Sequence, residues 1–203
     1  DEGWERDDRL SFHQKTDEWN LFGIFAIKNK WSDNINDGLA LGMERREYRS
    51  EETEGTNRYR RSLWQPYFLY MLNASLSDHV GIKYNASYRQ YNPSFSNMTP
   101  YWRYTSASTY QTGNPDLSHT KKFKQALTVQ LFQNWMFYVK HDYVDDAIVY
   151  YSSAKSNGMI ETRPENMASY HDCTVYLSVS NLRYFKGKGN FRVTAGGTRK
   201  WFR

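Results

Sequence analysis

Apolar and polar residues alternate one by one through most of this chain, and no helical spacing recurs. Val80, Ile82, Tyr84, Ala86 and Tyr88 take one side of an extended segment, while Lys83, Asn85, Ser87 and Arg89 take the other. Successive side chains of a strand point to opposite faces, so one face here is greasy and one is wet. Just before it, Trp64, Pro66, Phe68, Tyr70, Leu72, Ala74 and Leu76 share a face, and Ser77, Asp78 and His79 supply a tight turn. The two segments predict a hairpin.

The same pattern sets Phe123, Leu127, Val129 and Leu131 against Lys124, Thr128 and Gln130, turning at Gln133 and Asn134 into Trp135, Phe137 and Val139. Further on, Cys173, Val175, Leu177 and Val179 oppose Thr174, Tyr176 and Ser178. Phe191, Val193 and Ala195 then oppose Arg192 and Thr194, after a linker from Asn181 to Asn190 that carries Gly187 and Gly189. Two earlier strands are expected, at about Trp19 to Lys30 and Gly38 to Arg49, around a turn running from Ser32 to Asp37. The first of these has apolar residues on both faces. The pattern predicts about eight strands in all.

The connections alternate in length. They are short near Asp33, long from Ser50 to Asn57, short at Asp78, and very long from Gln90 to Ser118. Next come a short turn at Asn134, a long loop from Ser152 to Ala168, and a shorter one near Gly187. An up-and-down barrel with short turns on one side of a membrane and long loops on the other produces this parity. A soluble secreted β-sandwich that binds glycans through exposed aromatics is the competing architecture, and Greek-key connections give it no reason to sort loops in this way. The segment from Trp64 to Leu76 also exceeds the usual five or six residues of a soluble strand and suits a tilted wall.

Composition is compatible with that wall. No apolar run of 18 residues occurs and mean hydropathy is -0.87, which argues against a helical membrane protein. A spanning strand needs only about 9 to 11 residues and exposes every second one to lipid. Aromatics form 17% of the chain, an excess that interfacial girdles would explain. The net charge of +5 is spread out, with short clusters such as Arg58, Arg60 and Arg61, and no stripe tracks a nucleic-acid backbone. The single cysteine, Cys173, rules out an internal disulfide framework and sits on an apolar strand face. No secretory signal or transit peptide opens at Asp1, so the chain reads as a mature form or an excerpt of something longer.

The stretch from Tyr88 to Leu117 costs too much ordering entropy to be a mere connector, and is expected to be functional. Its order of elements resembles the C-terminal barrel region of TonB-dependent outer-membrane receptors, in the outer-membrane β-barrel family common in Bacteroidetes. Tyr88 and Arg89 lead to Pro93, Thr99 and Pro100 stand at a middle step, and Gly113, Asn114, Pro115, Asp116 and Leu117 introduce the next strand. Ser118 and His119 stand where that family usually has a Lys-Pro pair. The likeness covers roughly residues 60 to 203. Gly113 is free to take positive φ, and Pro115 fixes the entry to the strand.

The resemblance implies an all-β fold. It would be an antiparallel up-and-down transmembrane β-barrel, or about eight consecutive strands of a larger one, since such receptors are barrels of about 22 strands. Residues 1–203 form a single barrel segment with no plug domain visible. A small complete eight-stranded barrel, serving as an anchor or adhesin, is the third reading. The resemblance further implies residence in the bacterial outer membrane and contact with outer-membrane lipid. It also implies uptake of an unidentified small solute, glycan or peptide, and a TonB-type energy-coupling partner.

Residue chemistry adds a candidate site and no enzyme signature. Tyr101, Trp102, Tyr104 and Tyr110, with Arg103 and Asn114, are the expected ligand platform of the long loop, because flat rings stack on sugars and Arg donates to anions. His13, His79, His119, His141 and His171 show no metal-ligand spacing, and no cofactor is called for. Asp145 and Asp146 are neighbours on a strand, so their carboxylates are expected to point apart, unless a bulge brings them together as a calcium site.

Overall fold

The computed structural model describes residues 14–52, 58–99, 102–132, 134–184 and 189–203. Among these, period-two alternation produces long antiparallel strands: β1 (Gln14–Lys30), β2 (Ile35–Glu52), β3 (Arg58–Ser77) and β4 (Val80–Tyr91). A one-turn helix, α1 (Phe95–Met98), and a small hairpin, β5 (Arg103–Ser106) and β6 (Thr109–Gln111), interrupt the series. It resumes with β7 (Thr120–Leu131), β8 (Trp135–Ala154), β9 (Ile160–Tyr184) and β10 (Gly189–Phe202). All ten lie in one sheet in the order β1-β2-β3-β4-β7-β8-β9, with β10 on the lower part of β9 and β6-β5 on its upper part. The sheet curls into a half-barrel. A sandwich would need a second layer, and none of the described strands forms one.

Register assigns every side chain to one of two faces. Ile82 pairs with Val129, Val129 with Phe137 and Phe137 with Leu177. Lys83 pairs with Thr128, Thr128 with Tyr138 and Tyr138 with Tyr176 on the opposite face. Buried members of the second face include Tyr48, Leu63, Gln65, Asp142 and Ser178, which is the crowding expected on the concave side of a curled sheet. The first face is convex, and its Leu41, Leu127, Val175 and Leu177 lie open at 36–48% exposure. The apolar residues Val80, Ile82, Leu127, Val129, Val175 and Leu177 are convex, and Lys83, Asn85, Thr128, Gln130 and Thr174 are concave, as the alternation predicts.

The strands outrun the expected boundaries. Twenty residues of β3 span about 65 Å along the strand. Tilted at about 40° they rise about 50 Å, roughly twice the apolar band of a membrane barrel. The excess stands at one end. The loop expected from Ser152 to Ala168 is mostly strand: β8 continues to Ala154, β9 begins at Ile160, and Lys155 to Met159 make the turn. The long loop buries Pro164 of that hairpin while Tyr150 and Tyr151 stay exposed, so its residues lack the alternation that reveals a strand. The loop expected from Ser50 to Asn57 falls largely on residues 53–57, which lie outside the described residues, as do Gln133 of the lower turn and residues 185–188 of the last linker.

Polar atoms on the convex face find one another. At the lower end Asp37 accepts from Trp31 Nε1 at 3.1 Å and from the Tyr70 hydroxyl at 3.4 Å. Midway, Gln125 Nε2 lies 3.2 Å from His141 Nδ1, and His141 Nε2 lies 3.0 Å from His171 Nδ1. Trp201 stacks on both imidazoles. Spacing in sequence hides this histidine pair, because only the β8–β9 register brings the two residues together.

Candidate functional site

The long connection between β4 and β7 folds back over the concave side. Ser94 caps α1 by accepting from the Asn97 N–H. Met98 of α1 is fully buried in a small core with Tyr48 and Leu63, one from each of β2 and β3, and Phe95 packs against it. Arg61 of β3 donates to the Pro115 carbonyl at 2.8 Å. At its other flank the loop reaches β9, where β6 pairs in parallel from Thr109 to Gln111 with Ile160 to Thr162. The loop therefore bridges the concavity from β2 and β3 to β9.

Its exit is pegged by side chains. Asn114 is 3% exposed and spends its amide on the Pro164 carbonyl at 3.1 Å and Glu165 Oε2 at 3.0 Å, while its Oδ1 accepts from the Asp116 N–H. Asn166 Oδ1 accepts from the Ser118 N–H at 2.7 Å, and its Nδ2 donates to the Asp146 carbonyl at 2.8 Å. Gly113 does not take positive φ; a side chain there would collide with the Thr99 carbonyl. Its role is close approach rather than backbone freedom. His119 follows, half-buried, with Nε2 lacking a hydrogen-bond partner among the described residues. Burial above all, with Arg61 and Lys121 nearby, holds its pKa below the ordinary 6.5.

The expected platform residues divide into groups. Trp102 stacks on Tyr110 at 4.9 Å between ring centroids, and Tyr104 leans on the same ring at 5.9 Å. Tyr110 is buried beneath them, while Trp102 and Tyr104 are 56% and 40% exposed and present open ring faces. Arg103 alternates to the other side of the hairpin and donates to Gln111 Oε1 at 2.6 Å. There it lines a cavity of about 210 Å³ with Asn97, Thr99 and Tyr150. The Tyr150 hydroxyl donates to Asn97 Oδ1 at 2.8 Å. Asn114 belongs to neither group, because its amide is committed to β9. Tyr101, with Pro100 before it, lies outside the described residues. Sequence reasoning missed Tyr150 and Asn97, which only the β8–β9 projection and α1 bring into the loop.

Asp145 and Asp146 require a correction. A bulge between Val144 and Ala147 breaks the strand alternation, with Asp146 at φ 54°. Lys121 Nζ reaches Asp146 Oδ2 at 2.9 Å and Asp145 Oδ2 at 3.4 Å, so both carboxylates converge on one ammonium. The lysine supplies the positive charge at this bulge. No cluster of three or more metal-ligating side chains occurs among the described residues.

Below the loop, the concave wall carries more cations than carboxylates. Glu44 pairs with Arg46 at 2.7 Å and Arg89 at 3.7 Å. Asp142 takes Lys122 and Lys140 at 3.1 Å each. Lys83 and Lys124 add to the same face.

Comparison with known proteins agrees with this architecture. The siderophore receptor PirA from Pseudomonas aeruginosa superposes with a TM-score of 0.57 at 10% identity, over 95% of this chain and 46% of that one. The outer membrane transporter YddB from Escherichia coli aligns at 12% identity with a TM-score of 0.44, over 93% of this chain and 34% of that one. The chain thus spans less than half the length of either. The first likeness shows a shared fold. No curated protein matches the sequence. A family model for outer membrane protein beta-barrels matches residues 13–197. With a greasy convex face, a polar concave face and that match over nearly its whole length, the chain belongs to the outer membrane protein beta-barrel family and resides in the bacterial outer membrane.

Proposed function

We propose that this chain forms part of the wall and outer mouth of a receptor that captures a small solute from outside the cell and takes it up with energy from a TonB-type partner. The observation that carries this reading is the β4–β7 loop, which is anchored at both flanks across the concave side and holds the open rings of Trp102 and Tyr104 at the mouth. A rigid aromatic surface on an anchored loop binds with little ordering cost. Arg103, Asn97 and Tyr150, on the other side of the hairpin, add donors and acceptors for polar groups of the solute. Tyr110 supports the rings and Asn114 positions the loop. The cationic concave wall favours a solute that carries negative charge.

The test is uptake by cells expressing the protein, challenged with labelled ferric siderophores, oligosaccharides and peptides. The expected result is saturable accumulation of one class, abolished by an uncoupler and weakened by Trp102→Ala. Absence of energised uptake for every class, or uptake indifferent to Trp102, overturns the reading.

A further inference from the structure

On the convex face, reading upward along β2 and β3, the apolar band ends at Met43 and Pro66, which face each other in register, while on β1 it runs on to Leu21 beside Arg45. The next residue up on this face of β2 is Arg45, directly opposite Trp64. Its guanidinium lies over two indoles, 5.3 Å from the Trp64 ring and 5.7 Å from the Trp19 ring, and its Nε donates to Ser62 at 3.2 Å. Tryptophans on an outward barrel face mark the height where hydrocarbon gives way to head groups. Arg45 is therefore held at the boundary of the lipid.

Immediately above, register places Arg49 opposite Arg60, and Glu51 opposite both Arg58 and Lys15. Two facing arginines would repel each other, and Glu47 resolves the conflict. It is 2% exposed and lies beneath both, receiving Arg60 Nε at 2.7 Å and Arg49 Nη2 at 3.4 Å. Each guanidinium spends one edge on that buried carboxylate and leaves the rest outward, at 55% exposure for Arg49 and 66% for Arg60. Arg58, tied to Glu51 at 2.7 Å, stands further out. Lys15, Asp17, Arg49, Arg58 and Arg60 line a shallow hollow here. Asp17 and Glu51 temper its charge, but the cations remain in excess.

We propose that this convex hollow, with Arg45 at its lower edge, binds the phosphorylated head group of an outer-leaflet lipid. Guanidinium forks match phosphate oxygens, and the buried Glu47 fixes two forks in advance so that less side-chain entropy is lost on binding. The position selects a lipid over a soluble anion. A head group is delivered at this height by acyl chains lying along the Leu41, Met43 and Phe68 surface below, whereas the loop and the cationic wall of the solute path lie on the opposite face.

The test uses the protein purified from outer membranes in detergent, with retained lipid phosphorus measured after exchange against micelles of lipid A carrying its phosphates, or of the same lipid dephosphorylated. Retention of the phosphorylated form is expected to exceed that of the dephosphorylated form. It should fall about fivefold for Arg49→Gln and further for Arg49→Gln with Arg60→Gln, at roughly that factor per interfacial cation. The Arg→Lys pair should hold an intermediate amount, and Lys83→Gln on the concave face, away from the hollow, should leave lipid retention unchanged. Altered mobility of the unheated protein on a gel verifies that each variant is folded. Equal retention of the two lipids, no loss in the folded Arg→Gln variants, or full displacement by inorganic phosphate would each overturn the proposal.

Discussion

The Gly113 N–H donates to the Thr99 carbonyl at 3.0 Å, and a Cβ on Gly113 would stand 2.1 Å from that same oxygen. This contact closes the long loop on itself between α1 and the strand entry. Gly113→Ala must push Thr99 away, at a cost of about 1 to 3 kcal/mol for an overpacked contact. Limited proteolysis should cut the variant faster within residues 92–118, while the wall keeps its resistance.

Trp102→Ala and Tyr104→Ala each remove an exposed ring face that packs on the buried Tyr110. Each should weaken solute binding by about 1 kcal/mol. Titration of the purified protein with the transported solute, followed by tryptophan fluorescence for the tyrosine variant and by calorimetry for both, measures the loss.

His119 gives the loop a pH dependence of definite sign. Its pKa is lowered in the folded protein, so the unfolded or undocked form binds a proton first as pH falls. Docking of the loop is therefore strongest above 6.5 and weakens as pH drops from 6.5 toward the depressed value. Hydrogen exchange of the loop amides should accelerate over that window, and His119→Gln should flatten the dependence.

Lys121 holds two carboxylates at the bulge. Lys121→Met leaves Asp145 and Asp146 facing each other without a cation, a like-charge contact that should loosen the β7–β8 edge and the loop exit pegged by Asn166. Faster proteolysis at the upper end of β8 is expected in the variant. Added calcium is expected to restore protection, because the bulge then offers its carboxylates to a cation.

Val129→Arg puts a charge on the lipid side of the wall and should cost about 2 to 4 kcal/mol of membrane stability, while the same change at Thr128, on the concave side, should be tolerated. Denaturant titration of the folded protein in lipid compares the two.

The wall was legible because hydrocarbon on one face and water on the other impose a residue-by-residue alternation. Val80 to Tyr88 and Cys173 to Val179 show it without interruption. Legibility failed where that solvent contrast vanishes. Ala147 to Ala154 and Ile160 to Ala168 are strands that meet the long loop and solvent instead of an apolar band on one face, and so read as a loop. The aromatic content of the loop pointed to Trp102, Tyr104 and Tyr110 as a group. Arg103 is separated from them by strand alternation within a hairpin too short to announce itself. Asn114 was visible as part of a rigid exit, but its partners Pro164 and Glu165 lie about fifty residues away in sequence. The bulge at Asp145 and Asp146 depends on the β9 register and leaves no periodic trace.

The central claim is that the two faces of this sheet meet different solvents. Spin labels placed one at a time at positions 173 to 178, in a cysteine-free background reconstituted in lipid bilayers, test it most directly through collisions with oxygen and with a water-soluble nickel chelate. At Cys173, Val175 and Leu177 oxygen should dominate, and at Thr174, Tyr176 and Ser178 the nickel chelate should gain. A uniform preference along the strand, or the opposite phase, would contradict the claim.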